Sequence, residues 1–308
     1  MIIQLVAFNV SSTWKKRLEM TTEIFNNSNA DLILFSGHTL LNLKYVRALK
    51  KSITNNHTRA ILEIKDYERN SFMELSNSLF YIHDGIIEDM FSSQIFASSK
   101  EIKNDSMLAE RLLKEMPERR KIIIDGIRFS ILQCGEINII ANRQKDQNKP
   151  YFRFEDEPNM ASMFDEVEKT TDVFLNPIHT PMGNINKMRK KKALLSKDGR
   201  YYFSTNNFGK SNGQKKVTPI TSTNIHYAYY DGKELQQFMG SHEGVLAEKI
   251  LGKDSSEKWS DLWYIYKPAG YDKTLAEMTE SERNNRKKYK SVSSMEVFAK
   301  WYKENNKE

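Results

Sequence analysis

The sequence predicts an α/β layered fold with a mixed sheet. Short apolar runs of strand length alternate with longer amphipathic runs of helical period. Two of the short runs, 31–36 (DLILFS) and 172–177 (DVFLNP), are nearly continuous, as in strands buried on both faces. Asp-Gly pairs at 125–126 and 231–232 fall where chains reverse into hairpins.

Taken in order, 2–10 (IIQLVAFNV) is the first expected strand. Residues 13–28 form a surface helix with Trp14, Leu18, Ile24 and Phe25 among polar neighbours. The run at 31–36 is the second strand, and 40–53 suits a helix. Strands are expected at 59–66 and 78–85, and a further one at 93–99 (SQIFASS). A helix at 107–116 should stop at Pro117. Residues 121–134 read as two strands about Asp125-Gly126. A polar stretch, 143–158, leads to a helix near 159–169, then the buried strand 172–177 and a basic helix near 184–196. A turn plus strand follows at 198–207, and a hairpin at 225–238.

Composition narrows the classes. The chain has 308 residues, with hydrophobic residues at 39% and charged residues at 28%, which suits a globular protein rather than disorder. Its single cysteine, Cys134, excludes an internal disulfide and a cysteine-cluster metal site within one chain. No apolar run is long enough to span a bilayer, and the first ten residues do not read as a signal peptide, so no membrane association and a reducing cytoplasm are the expectation. The net charge of +7 is concentrated: 187–216 holds ten basic residues and one acid, Asp198. That segment is a solvated helix face or a contact for an anionic small molecule, a nucleic acid or a protein partner. No glycine-rich phosphate loop is present, and the six histidines (His38, His57, His83, His179, His226, His242) show no metal-ligand spacing, so neither cofactor nor metal is expected.

Four strand candidates end in polar or reactive residues: Ser36-Gly37-His38-Thr39, Cys134-Gly135-Glu136, His179-Thr180 and Thr205-Asn206-Asn207. Ligands in α/β folds bind beyond the carboxyl ends of the strands, so parallel strands would bring these tips to one pocket. Each residue has a plainer reading as well: Cys134 as a small buried hydrophobe, the histidines as loop or capping residues, Glu136 as a surface acid. A cysteine followed by glycine suits a sharp strand-to-helix turn that presents both a thiol and backbone N–H groups.

Over about 1–250 these residues resemble the carbon–nitrogen hydrolase (nitrilase/amidase) superfamily. The resemblance rests on the opening strand, on Asp31-Leu32-Ile33-Leu34-Phe35, on the 126–136 stretch ending in Cys134-Gly135-Glu136, on Asp172–Pro177, on the basic helix followed by 202–207, and on 240–251 (GSHEGVLAEKIL) as a closing strand. It implies a four-layer α-β-β-α sandwich over 1–253, with 254–308 as a helical, Trp-containing, charged extension. It also implies homo-oligomers and a Glu–Lys–Cys triad that opens an amide or nitrile carbon through a thioester.

Of that triad only the nucleophile carries over cleanly, as Cys134, with Glu136 matching the acid two residues on. The position of the family's Glu falls at Gly37, beside His38, and that of its Lys near Gln94 or Lys100. The working arrangement is therefore Cys134 as nucleophile and His38 as base, since a neutral imidazole suits thiol activation. Glu136 would orient, and the Gly135 and Ile137 N–H groups with Gln94 or Lys100 would hold the oxyanion. Asn176, His179, Gly135 and Arg189 are expected to line the pocket for a small amide-like substrate. The alternative is a catalytically silent protein of the same fold that binds a ligand, nucleic acid or protein through its basic face.

Overall fold

The computed structural model describes residues 1–69, 73–180, 184–209, 225–235 and 258–264. Two six-stranded sheets carry the fold. The first has the order β14-β1-β2-β3-β4-β5, built from β1 (Ile2–Phe8), β2 (Leu32–Phe35), β3 (Arg59–Arg69), β4 (Met73–His83), β5 (Ile86–Ser93) and β14 (Lys258–Tyr264). The second has the order β13-β12-β11-β10-β7-β6, from β6 (Lys121–Ile124), β7 (Ile127–Ile131), β10 (Val173–Ile178), β11 (Tyr201–Asn206), β12 (His226–Tyr230) and β13 (Lys233–Glu234). A small hairpin, β8 (Ile140–Arg143) with β9 (Lys149–Phe152), stands apart. Each sheet has a parallel centre, β1-β2-β3 in one and β7-β10-β11 in the other, flanked by antiparallel strands.

The side-chain alternation of the strands sorts most of the core into three bodies. Ile3 and Leu5 of β1, Leu32 and Leu34 of β2, and Phe129, Leu175 and Phe203 of the second sheet meet between the two sheets. The alternate residues Val6, Phe8, Ile33 and Phe35 face outward, onto α1 (Trp14–Asn27) and α2 (Leu43–Ser52). Phe174 and Tyr202, on the outer face of the second sheet, pack with α4 (Ser106–Arg119), α5 (Pro158–Lys169) and α6 (Ile185–Leu195). The near-continuous apolar runs at 31–36 and 172–177 are thus explained: both faces of β2 and β10 are covered, and every residue of both strands is buried.

Three local expectations differ from the structure. The segment 93–99 is not a strand: β5 ends at Ser93, and α3 (Ser99–Asn104) begins after an irregular link. The strand signal belongs to 86–93, which completes a hairpin with β4 across Asp84-Gly85, both with positive φ. Helix α4 runs through Pro117 to Arg119, because a proline in the last turn removes a single late hydrogen bond where the helix is already ending. Within the tail expected to be helical, 258–264 is a strand paired antiparallel with β1 across the whole of Ile2–Phe8. The expected closing strand at 240–251 and the rest of 254–308 lie outside the described residues.

Phe129 has no exposure and fills the space between the sheets. Phe129→Ala is expected to cost about 3–5 kcal/mol by leaving a cavity there, measured as a lower urea midpoint with unchanged slope.

Candidate active site

The parallel centres of both sheets end at one place. Asn207, just past β11, ties the tips together: its Nδ2 donates to Gly37 O (2.7 Å) and His179 O (3.0 Å), and its Oδ1 accepts from Ser36 Oγ and Phe8 N. Gly37 N also donates to Ile178 O at 3.2 Å. The tips of β1, β2, β10 and β11 are therefore fixed against each other by buried hydrogen bonds.

Cys134 opens a 3-10 turn, Cys134–Ile139, directly after β7. Its φ of 35° is unusual for a non-glycine residue and holds the thiol in a tight strand-to-turn corner. Gly135 permits that corner, since a Cβ there would sit 1.9 Å from Ala97 O. The turn is anchored from below by Glu136, which is fully buried. Its Oε1 accepts from Ile95 N and its Oε2 from Gln133 N, each at 2.7 Å, and Arg120 Nη1 donates to Oε2. Burial pushes the Glu136 carboxyl up against the opposing pull of the Arg120 guanidinium. Arg120 is itself fully buried and shared with Ser92, Ser93 O and Glu115.

The Cys134 thiol acts on the His179 imidazole, being one of the groups that raise its pKa. His179 Nε2 in turn lies 2.6 Å from Glu63 Oε1, and Glu63 is fully buried on β3. This gives a continuous line Cys134–His179–Glu63. Burial works to lower the His179 pKa, but the Glu63 carboxylate and the bonds to Cys134 and Glu63 outweigh it and raise it to about 10. Burial would raise Glu63, yet the adjacent His179, His38 and the Gln133 amide hold it below the usual carboxylate range. Gly37 makes room for this ring: a Cβ at 37 would lie 2.2 Å from His179 Cδ2.

His38, the expected base, is engaged by His179 and Asn77. Its ring stacks on that of His179 with centroids 3.7 Å apart, and its φ of 55° turns it there. His38 Nε2 is 2.8 Å from Asn77 Oδ1, whereas Asn77 Nδ2 donates to Gln94 Oε1 at 2.8 Å. That second bond leaves Oδ1 as the acceptor, so His38 carries its proton on Nε2. Burial and the neighbouring His179 charge lower the His38 pKa to about 4. His38, Glu63 and His179 each present one atom within 4.8 Å of the others, as a cation site requires. Both ring Nε2 atoms are engaged as donors, so the set forms a hydrogen-bonded relay.

The remaining expected residues are placed as follows. Glu136 bonds Arg120 and backbone and does not orient a histidine. Gln94 Nε2 donates to Phe96 O at 3.1 Å while Lys100, on α3, is exposed to solvent. Asn176 is consumed inside the fold, donating to Leu132 O and accepting from Tyr202 OH. Arg189 pairs with Glu234 at 3.4 Å. Of the basic segment, Lys191, Lys192 and Arg200 are buried, which removes them from any solvated stripe, and 210–216 lies outside the described residues. Glu63, Gln133 and Asn77 were not anticipated. The signal for Glu63 is an acid set inside the apolar run 60–64 (AILEI), where the flanking residues give no reason for a charge.

The buried pair beneath the turn generates a stability expectation. Arg120→Leu leaves Glu136 uncompensated and should cost about 3–5 kcal/mol, with Arg120→Leu/Glu136→Leu recovering most of it in chemical denaturation. The relay generates a second one. His179 is protonated more tightly in the folded state, so its contribution to stability is complete below about pH 6.5 and is lost as pH rises through about 10. The stability difference between wild type and Glu63→Gln should shrink over that interval.

No protein-family model matches the chain, and no curated protein matches it. Solved structures do. The NitN amidase from Neterenkonia sp. AN1 aligns with a TM-score of 0.51 at 11% identity, over 92% of this chain and 99% of that one. A variant of the amidase from Nesterenkonia sp. AN1, with acrylamide added at its active site cysteine, gives 0.51 at 11% identity over 88% and 95%. A glutamine-dependent NAD(+) synthetase from Cytophaga hutchinsonii gives 0.49 at 13% identity over 77% of this chain, which spans 40% of the synthetase's length. At these identities the likeness concerns architecture: the chain has the α/β fold of the NitN amidase, as the nitrilase/amidase resemblance implied.

Proposed function

We propose that this protein is a thiol-dependent hydrolase of a C–N bond, amide or related, in a small molecule. Its layers would follow the α-β-β-α order of the nitrilase-like sandwich. The observation that carries the reading is the succession from Cys134 through the His179 ring it acts on to the buried carboxylate of Glu63, which is hydrogen-bonded to that ring. A likeness to an amidase with an active site cysteine supports it.

In this reading the thiol proton already rests on His179, in keeping with its raised pKa, and Cys134 sulfur bonds to the carbonyl carbon as the thiolate. Glu63 fixes the ring and stabilises its imidazolium form. The oxyanion is met by the Gly135 N–H and by the second N–H of Gln94. His179 returns the proton to the leaving nitrogen as the C–N bond breaks, leaving a thioester. Water, deprotonated by the now neutral His179, then releases the acid and restores the thiolate beside the protonated ring. His38 acts through His179: its stacked, neutral ring keeps the imidazole from rotating out of line. The acid and base functions would thus come from β3 and β10 rather than from the tip of β2.

The test is hydrolysis of a panel of small primary amides, read as released ammonia, alongside iodoacetamide labelling of Cys134. Cys134→Ser should abolish turnover, and His179→Asn and Glu63→Gln should each lower kcat/KM by about 10²–10⁴-fold. Gly37→Ala should slow alkylation of Cys134 as His179→Asn does, because its methyl displaces the same ring. Turnover of no amide, together with labelling that is indifferent to His179→Asn, would sink the proposal.

A further inference from the structure

A buried ammonium without a counter-ion stands beside the nucleophile's turn. Lys191, on α6, is 5% exposed, and its Nζ donates to Asn138 Oδ1 at 2.7 Å. Asn138 Nδ2 donates to Gly135 O at 2.8 Å, so a single side chain joins Lys191 to the residue after Cys134. Arg153, just past β9, donates from Nε to Asn138 O at 3.1 Å. Lys187 lies one turn before Lys191, on the same face of α6.

Among the described residues no carboxylate pairs with Lys187, Lys191 or Arg153. Burial lowers the Lys191 pKa to about 8, and the charges next to it, Arg153 and Lys187, lower it further rather than offset it. Buried charges in folded proteins are normally paired. The neighbouring Lys192 shows how the fold treats one it means to satisfy: its Nζ lies 3.2 Å from the centre of the Tyr227 ring, with Glu234 opposing its desolvation. Lys191 has neither. The three cations also grade outward, since Lys187 and Arg153 are only half-buried, so the charge opens toward solvent.

We propose that Lys191, Arg153 and Lys187 form an oxyanion recess, and that the substrate carries a carboxylate or phosphate docked there while its C–N carbon meets Cys134. The proposal rests on Cys134 being the nucleophile and narrows the substrate to an anionic amide. It also gives the basic helix a role in recognition rather than as a nucleic-acid surface.

Alkylation tests it on the full chain. N-iodoacetylglycine, its aminomethylphosphonate analogue and the neutral N-iodoacetylglycinamide deliver the same reactive carbon with different tails. Wild type should react about tenfold faster with a charged reagent than with the neutral one. Lys191→Met and Arg153→Met should each bring that ratio close to one. The better of the two charged tails identifies the substrate's anion as carboxylate or phosphate. A ratio near one in wild type, or one that survives both variants, overturns the proposal. If none of the reagents modifies Cys134, the hydrolase reading falls and inorganic phosphate decides the recess separately. Phosphate should then raise the thermal midpoint above that in chloride of equal ionic strength, and Lys191→Met should erase the difference. No phosphate-specific rise in wild type overturns the recess as well.

Discussion

The candidate site depends on one buried carboxylate. Glu63 is enclosed in the centre of the first sheet, where an unpaired charge would be strongly unfavourable. It is tolerated because both of its oxygens meet donors. His179 Nε2 and His38 N meet Oε1 at 2.6 and 2.9 Å, and Gln133 Nε2 meets Oε2 at 2.7 Å. Those donors come from β10, from the tip of β2 and from the residue before Cys134. One charge therefore draws together three tips from two different sheets, and the relative position of thiol and imidazole follows from it.

A second buried charge pair does the complementary work from beneath. Arg120 and Glu136 hold the 3-10 turn against the link between β5 and α3, where Ile95 N is bound and Ala97 O packs on Gly135. The corner at Cys134 has an unfavourable φ, and the turn stays in place because both of its sides are fastened. Glu63 fixes what the thiol faces, and Glu136 fixes where the thiol is. The two carboxylates are separated by the Gln133 side chain and main chain, which touch both.

Much of the architecture was legible because it rests on periodicity. Strands buried on both faces have few alternatives to an apolar run, and Asp125-Gly126 and Asp231-Gly232 have positive φ as such turns require. Convergence of the tips followed from strand direction alone. The partner of the thiol was not legible, because sequence places His38 and His179 at strand ends without saying which way either ring points. That choice is made by the left-handed backbone at His38 and by the absent side chain at Gly37. Glu63 escaped notice because an acid within a strand ordinarily marks a solvated face. The strand at 258–264 escaped because its pairing with β1 is a long-range contact that a charged local sequence does not announce.

Gly37 and His179 occupy one volume between them, since the Cβ that one would carry falls on the ring of the other. Their identities are consequently not independent. A lineage that moved from a side chain at the tip of β2 to a ring at the tip of β10, or back, would pass through a combination that either collides or leaves a hole beside the thiol. The two positions form an epistatic pair, and a change at either is to be read only with the residue found at the other.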